Sequence, residues 1–158
     1  MAKQLGFSFD SSACSDCKAC QIACQDKNNL SAEIRWRRVL QYGGGSWVKQ
    51  GNTMIPSNIF TYAVSFACMH CQEPICATVC PAAAITKRDD GVVLIDAGKC
   101  IGCRYCEWAC PYGAVHFNEE QHVMTKCTFC EDLLAKGENP ACVDACVMRA
   151  IKFGELDE

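Results

Sequence analysis

The chain lacks any apolar run of the roughly 18 residues that a membrane-spanning helix needs. Its longest candidate, Ile59 to Met69, is interrupted by Thr61 and Ser65. Met1 to Phe9 has no extended apolar core, so no secretory signal is expected there. Strong charge of either sign is also missing. The formal net charge is −3, which gives no ground for a general nucleic-acid binder. Nor does the sequence offer a nucleophile–base pair or a phosphate-cradling loop, so no catalytic residue of its own is expected. With half of its 158 residues hydrophobic and 21% charged, the chain is long enough for one compact domain or two small ones sharing a core.

Cysteine is what the sequence has in excess: 16 residues, one in ten. Disulfides, zinc and iron–sulfur clusters all use cysteine at such density. A disulfide scaffold suits a short exported chain, and here near neighbours such as Cys14, Cys17 and Cys20 would each have to seek distant partners. Spacing decides between the other two. Cys14, Cys17, Cys20, Cys24 and Cys100, Cys103, Cys106, Cys110 both read C-x2-C-x2-C-x3-C. Cys68, Cys71, Cys76, Cys80 read C-x2-C-x4-C-x3-C, and Cys127, Cys130, Cys142, Cys146 read C-x2-C-x11-C-x3-C. Three closely spaced thiolates can wrap one face of a cubane, while the fourth points away to the other cluster of a pair. Tetrahedral zinc more often takes two separated C-x2-C knuckles, a pattern that only the fourth group, seen alone, could pass for. Sixteen ligands divide without remainder into four [4Fe–4S] clusters.

The flanks repeat as well. Cys80-Pro81-Ala82-Ala83-Ala84-Ile85 matches Cys110-Pro111-Tyr112-Gly113-Ala114-Val115, and Cys146-Val147-Met148-Arg149-Ala150-Ile151 keeps the frame without proline. Proline there stops a short helix and redirects the chain, so at Val147 the turn must be made without a fixed torsion. The first group instead runs on through Gln25-Asp26-Lys27, as a longer helix would. Strands are expected at Phe7–Phe9, Ile59–Val64, Ile85–Thr86, Val92–Ile95 and Ile151–Phe153, with a hairpin turn at Asp90-Gly91. The fold class is therefore α+β, an internal repeat of bacterial-ferredoxin type.

Two nested modules are expected. Residues 59–118 form an inner one, and 1–58 with 119–158 an outer one that includes an insertion over 25–58. Under the cross-ligation rule, Cys68, Cys71 and Cys76 share a cluster with Cys110, and Cys100, Cys103 and Cys106 share one with Cys80. In the outer module Cys14, Cys17 and Cys20 pair with Cys146, and Cys127, Cys130 and Cys142 with Cys24. The rival is sequential pairing of groups one with two and three with four, which would put Cys24 beside Cys68 rather than Cys130. Within the insertion, Ile34, Trp36, Leu40 and Tyr42 alternate with polar residues as one strand of a hairpin. Gly43-Gly44-Gly45 is expected to turn it, and the hairpin to pack over one module.

Other residues have plainer roles. Arg35-Trp36-Arg37-Arg38 is expected to be a solvated strand edge with Trp36 buried, and His70 a hydrogen-bonding or packing residue rather than a cluster tuner. Trp108 is expected to shield its cluster. Arg104-Tyr105 either touches a partner or compensates cluster charge, and His116 and His122, on a strand and a turn, receive no role.

Cys-Ile-Gly-Cys-Arg-Tyr-Cys (100–106), Ala-Cys-Pro-Tyr-Gly-Ala (109–114) and Met-Thr-Lys-Cys (124–127) resemble the iron–sulfur subunits of dimethyl sulfoxide reductases. So do Gly-Phe-Ser-Phe-Asp-Ser-Ser (6–12) and Lys-Arg-Asp-Asp-Gly (87–91). The resemblance spans about residues 5 to 156, within the wider class of four-cluster subunits of molybdopterin oxidoreductases. It implies a molybdopterin catalytic subunit on one side, a quinol-oxidising membrane anchor on the other, and electrons relayed between them. It also implies peripheral attachment to the cytoplasmic membrane through those partners, on the periplasmic side by co-export. Members of the family usually continue past the last cluster group, whereas this chain stops at Glu158. A stand-alone polyferredoxin serving a hydrogenase or formate dehydrogenase is the alternative, and a structural zinc protein a third.

Overall fold

The computed structural model describes residues 4–156. Among these residues, eight strands pair as four separate two-stranded antiparallel sheets, and five short helices lie between them. The first and last strands, β1 (Leu5–Phe9) and β8 (Ile151–Glu155), pair with Phe7 opposite Phe153 and Phe9 opposite Ile151. This closes the two ends of the chain on each other. β4 (Ile85–Lys87) pairs with β5 (Val93–Ile95), and β6 (Val115–Asn118) with β7 (Val123–Lys126).

The helices are the cysteine groups' own. α1 (Ala19–Lys27) carries Cys20 and Cys24, and α2 (Ile75–Thr78), α3 (Tyr105–Ala109) and α5 (Ala141–Asp144) each carry a third cysteine. α4 (Glu131–Leu134) follows Cys130. Each helix bearing a third cysteine starts one residue before it, but the start is made in two ways. Lys18 and Arg104 enter through left-handed backbone, φ 60° and 64°, whereas Pro74 and Pro140 enter through φ −75° and −55°. Groups one and three thus share one build, and groups two and four the other. α1 packs against α5 and α2 against α3, so each contact joins one build to the other.

β2 (Arg38–Gln50) and β3 (Thr53–Phe66) form the long hairpin. Three expectations about it are corrected. The strand starts at Arg38, not Ile34, because the chain bends at 36–37, where Arg37 is buried. Gly43-Gly44-Gly45 lies within β2, where the register shifts between Gly44 and Ser46, and the chain reverses around Gly51 at φ 64°. The glycines serve close approach: a Cβ on Gly44 would stand 2.7 Å from the Phe60 ring. Finally, only the base of the hairpin packs, with Val39 and Ala63 in a core containing Cys20, Cys142 and Cys146. Its outer part, including Trp47, Phe60 and the stacked Tyr42–Tyr62 pair, stands in solvent.

Position 58/59 lies within β3, and 118/119 between the paired strands β6 and β7. Few large apolar side chains are buried. The three core clusters gather around cysteine sulfur, one with Ile85, Val93, Cys106, Val115 and Met124, another around the Phe129 ring.

Candidate metal centres

All sixteen cysteines are free thiols. They come together in four cavities. One is lined by Cys14, Cys17, Cys20 and Cys146, and a second by Cys68, Cys71, Cys76 and Cys110. A third is lined by Cys80, Cys100, Cys103 and Cys106, and a fourth by Cys24, Cys127, Cys130 and Cys142. Cys24 therefore shares a cavity with Cys130 and not with Cys68.

The backbone around each quartet is local and repeated. The residue before the second cysteine is left-handed in every group: Asp16 (φ 55°), His70 (45°), Gly102 (67°) and Phe129 (56°). The chain curls there, so the first two thiols can converge. Gly102 announced this conformation most clearly by residue type, Asp16 and His70 less so, and Phe129 not at all. A Cβ on Gly102 would lie 2.5 Å from the carbonyl oxygen of His122. Gly102→Ala is therefore expected to destabilise by about 2 kcal/mol or more and to disturb the third-group loop. Anaerobic thermal unfolding of the variant against wild type checks it, and an unchanged midpoint would refute the steric argument.

After the fourth cysteine a second turn recurs. Ala83 (φ 47°), Gly113 (56°) and Arg149 (53°) donate their N–H to the carbonyls of Cys80, Cys110 and Cys146 at 3.2, 3.2 and 3.0 Å. The next N–H, of Ala84, Ala114 or Ala150, donates to the same cysteine's Sγ at 3.3, 3.5 or 3.2 Å. Val147 thus makes the turn without proline, because the hydrogen bonds, and not the ring, define it. Met124 N–H donates to Cys100 Sγ at 3.3 Å and Phe129 N–H to Cys127 Sγ at 3.4 Å. Such N–H···S bonds favour negative charge on sulfur.

Burial works the other way. It pushes the Cys24 thiol up to about 12, with Cys142 and Cys130 adding to the effect. Burial likewise pushes Cys106 up to about 11, helped by Cys76 and Cys100. Cys68, Cys76, Cys127 and Cys142 are raised too, again mainly by burial. These sulfurs keep a proton at neutral pH unless a cation replaces it. Among the described residues no three His, Cys, Asp or Glu side chains close on a single ion. Four thiols lining one cavity are the donor set that a [4Fe–4S] core takes. Thiols of different quartets also act on one another: Cys76 on Cys106, Cys68 on Cys127, and Cys20 on Cys142.

The remaining expected residues divide. His70 is fully buried: its Nδ1 accepts the Val93 N–H at 2.9 Å, its ring stacks on Phe129 at 3.6 Å, and burial lowers its pKa to about 2. Trp108 is corrected. It is 74% exposed and lines none of the four cavities, since it lies two residues beyond Cys106 on α3 and so faces away. Arg104 pairs with Glu107 at 2.7 Å, and Tyr105 is exposed. His116 sits on β6, its pKa lowered by burial and then by Arg38, and His122 occupies the turn before β7 at φ 54°.

The basic run is not a solvated edge. Arg35 is exposed and Trp36 only half-buried, but Arg37 is buried. Arg38 donates to the carbonyls of Tyr112 and Gly113, both at 2.8 Å, tying the hairpin to the third group's turn. Sequence reasoning also passed over Phe129 and Lys126. Lys126 is buried and donates to the carbonyls of Val93 and Cys127, bracing β5 against β7. Phe129 could have been found by aligning the groups, since it occupies His70's place.

The family described as 4Fe-4S dicluster domain matches residues 59–156. Over its full 158 residues the chain is 48% identical to a component of the anaerobic dimethyl sulfoxide reductase of Escherichia coli (strain K12), covering 77% of that protein. The chain belongs to the iron–sulfur subunits of the dimethyl sulfoxide reductase type. It is also 39% identical over 172 residues to a component of the sulfite dehydrogenase of Allochromatium vinosum, covering 98% of this chain and 70% of that one. A component of the polysulfide reductase of Wolinella succinogenes is 35% identical over 160 residues, with 100% of this chain and 80% of that one covered. As an iron–sulfur subunit of dimethyl sulfoxide reductase type, the chain is an electron-transport component of an oxidoreductase. Among its described residues no helix is long and apolar enough to cross a membrane.

Proposed function

We propose that the chain carries four [4Fe–4S] clusters and relays electrons from a quinol-oxidising membrane anchor to a molybdopterin catalytic subunit. The proposed ligand sets are Cys14, Cys17, Cys20, Cys146; Cys24, Cys127, Cys130, Cys142; Cys68, Cys71, Cys76, Cys110; and Cys80, Cys100, Cys103, Cys106. The observation that supports them is the meeting of sixteen thiols as four quartets around four cavities. Each cluster supplies one-electron chemistry. The chain's own residues hold the thiolates, donate N–H groups to sulfur and exclude water.

The neighbour relations proposed for the row run from the Cys80 set through the Cys68 and Cys24 sets to the Cys14 set. Two nested ferredoxin-like modules would then each hold two clusters, the inner over about 59–118 and the outer built from both chain ends. Exposed apolar side chains stand near both ends of this row: Ile101 beside Cys100, and Val147 and Met148 beside Cys146. These suit partner subunits at the two ends, through which the chain would sit at the cytoplasmic membrane on the periplasmic side.

Anaerobically purified protein is expected to contain about sixteen iron and sixteen acid-labile sulfide per chain. Zinc without sulfide would overturn the proposal, and failure to co-purify with a large pterin subunit would favour the stand-alone polyferredoxin. Because the cores are built around the quartets, stripping the iron is expected to unfold most of the chain. Loss of far-ultraviolet circular dichroism on chelation under oxidising conditions measures this.

A further inference from the structure

Arg37 is 2% exposed, and it leads the largest fully buried side chains of the described residues. Its Cζ stands 4.2 Å over the Phe7 ring, and Nη1 donates to the Ser65 hydroxyl at 3.1 Å. Ser65 Oγ lies in turn 3.4 Å from Cys20 Sγ. The other two nitrogens, Nε and Nη2, are buried without a hydrogen-bond partner. A guanidinium cannot shed its proton in a protein, so this is a permanent buried cation; besides the Ser65 hydroxyl it meets the Cys142 thiol, whose pKa it lowers against the effect of burial. Such a group is costly unless an anion completes its shell.

The side chain lines the cavity of Cys24, Cys127, Cys130 and Cys142. Among the described residues, the only other Lys, Arg, Asp or Glu side chain lining any of the four cavities is Lys18, which is exposed. Buried Lys126 differs because carbonyl oxygens accept its N–H groups. His70 Nε2, in the wall of the Cys68 cavity, also lacks a partner but carries no charge; among the described residues Arg37 alone brings full positive charge with unused N–H groups into a cavity wall.

We infer that Arg37 is a positioning residue for electron flow, raising the reduction potential of the cluster held by Cys24, Cys127, Cys130 and Cys142. The inference rests on the ligand sets proposed above. Four thiolates around a dicationic core leave about two negative charges, and one-electron reduction adds a third. A fixed cation in a low-dielectric wall stabilises the reduced form more than the oxidised one. No bond is made or broken and the guanidinium keeps its proton, so the effect does not vary with pH.

The test is potentiometric titration of the intact complex, followed by electron paramagnetic resonance, with iron counted in the same samples. In Arg37→Met and Arg37→Gln, one of the four potentials is expected to fall by about 59 mV or more, a tenfold loss in stability of the reduced form. The shift should be equal across about pH 6 to 8, and Arg37→Lys should retain most of the wild-type value. Unmoved potentials at full iron content overturn the inference and leave the ligand sets standing, as does an equal fall in Arg37→Lys, which would make the role one of packing. Iron far below sixteen in the wild type overturns the ligand sets themselves. Should the neutral variants fail to assemble, wild type labelled with ¹⁵N-arginine decides. Nitrogen coupling to one reduced cluster, lost in Arg37→Lys, supports the inference, and its absence from every cluster in the wild type refutes it.

Discussion

Exchanging Cys146 for serine is expected to remove the cluster whose other three proposed ligands stand near the opposite end of the chain, at Cys14, Cys17 and Cys20. Those four thiols line one cavity, and Cys146 reaches it because β8 pairs with β1. Iron should fall from about sixteen to about twelve per chain, or to about fifteen if a three-iron remnant survives. Quinol-dependent electron flow should fall at least about tenfold, as the lost cluster terminates the proposed row. The reciprocal variant, Cys24→Ser, should strike the cluster of Cys127, Cys130 and Cys142. Electron paramagnetic resonance separates the two, since each variant should abolish a different reduced-cluster signal. If Cys146→Ser and Cys127→Ser abolished the same signal, the pairing across the chain ends would be wrong.

The second large effect is expected at Phe129. Its ring is 0% exposed and meets Phe7 at 4.9 Å, Phe153 at 5.2 Å and His70 at 3.6 Å. It thus joins β1, β8 and the loop of the second cysteine group from within the loop of the fourth. Phe129→Ala should cost about 3–5 kcal/mol, the lost transfer of an aromatic ring plus the void it leaves. Backbone at φ 56° adds a signature: Phe129→Gly leaves the same void but relieves the left-handed strain, and should be about 1 kcal/mol more stable than Phe129→Ala. Midpoints of anaerobic guanidinium unfolding measure both. A loss for Phe129→Ala below about 1 kcal/mol would show that the ring is no keystone.

Much of this was legible before any coordinates. Cysteine spacing is set by local backbone, since thiols two or three residues apart must share a turn, and so the groups could be read as cluster loops. The Cys-x3-Ala-branched frame likewise marks the buried alanines 84, 114 and 150 and the strands that follow them. The Asp90-Gly91 turn between β4 and β5 was legible for the same reason. The hairpin was harder. Three glycines can turn a chain or let two strands approach, and the facing Phe60 decided for approach. Trp108 misled because a tryptophan between two cysteines looks sheltered, yet helical rotation carries it outward.

The sequence by itself determined which residues are proposed as iron ligands and which short turns present them, because both depend on neighbours a few bonds away. Only the tertiary structure decided what stands between the quartets: Arg37 in a cavity wall, Phe129 against His70, and the chain ends joined through β1 and β8. Nothing in Arg35-Trp36-Arg37-Arg38 says which of three arginines turns inward. That choice was made by where β2 begins and by the Phe7 face and Ser65 hydroxyl waiting on distant strands.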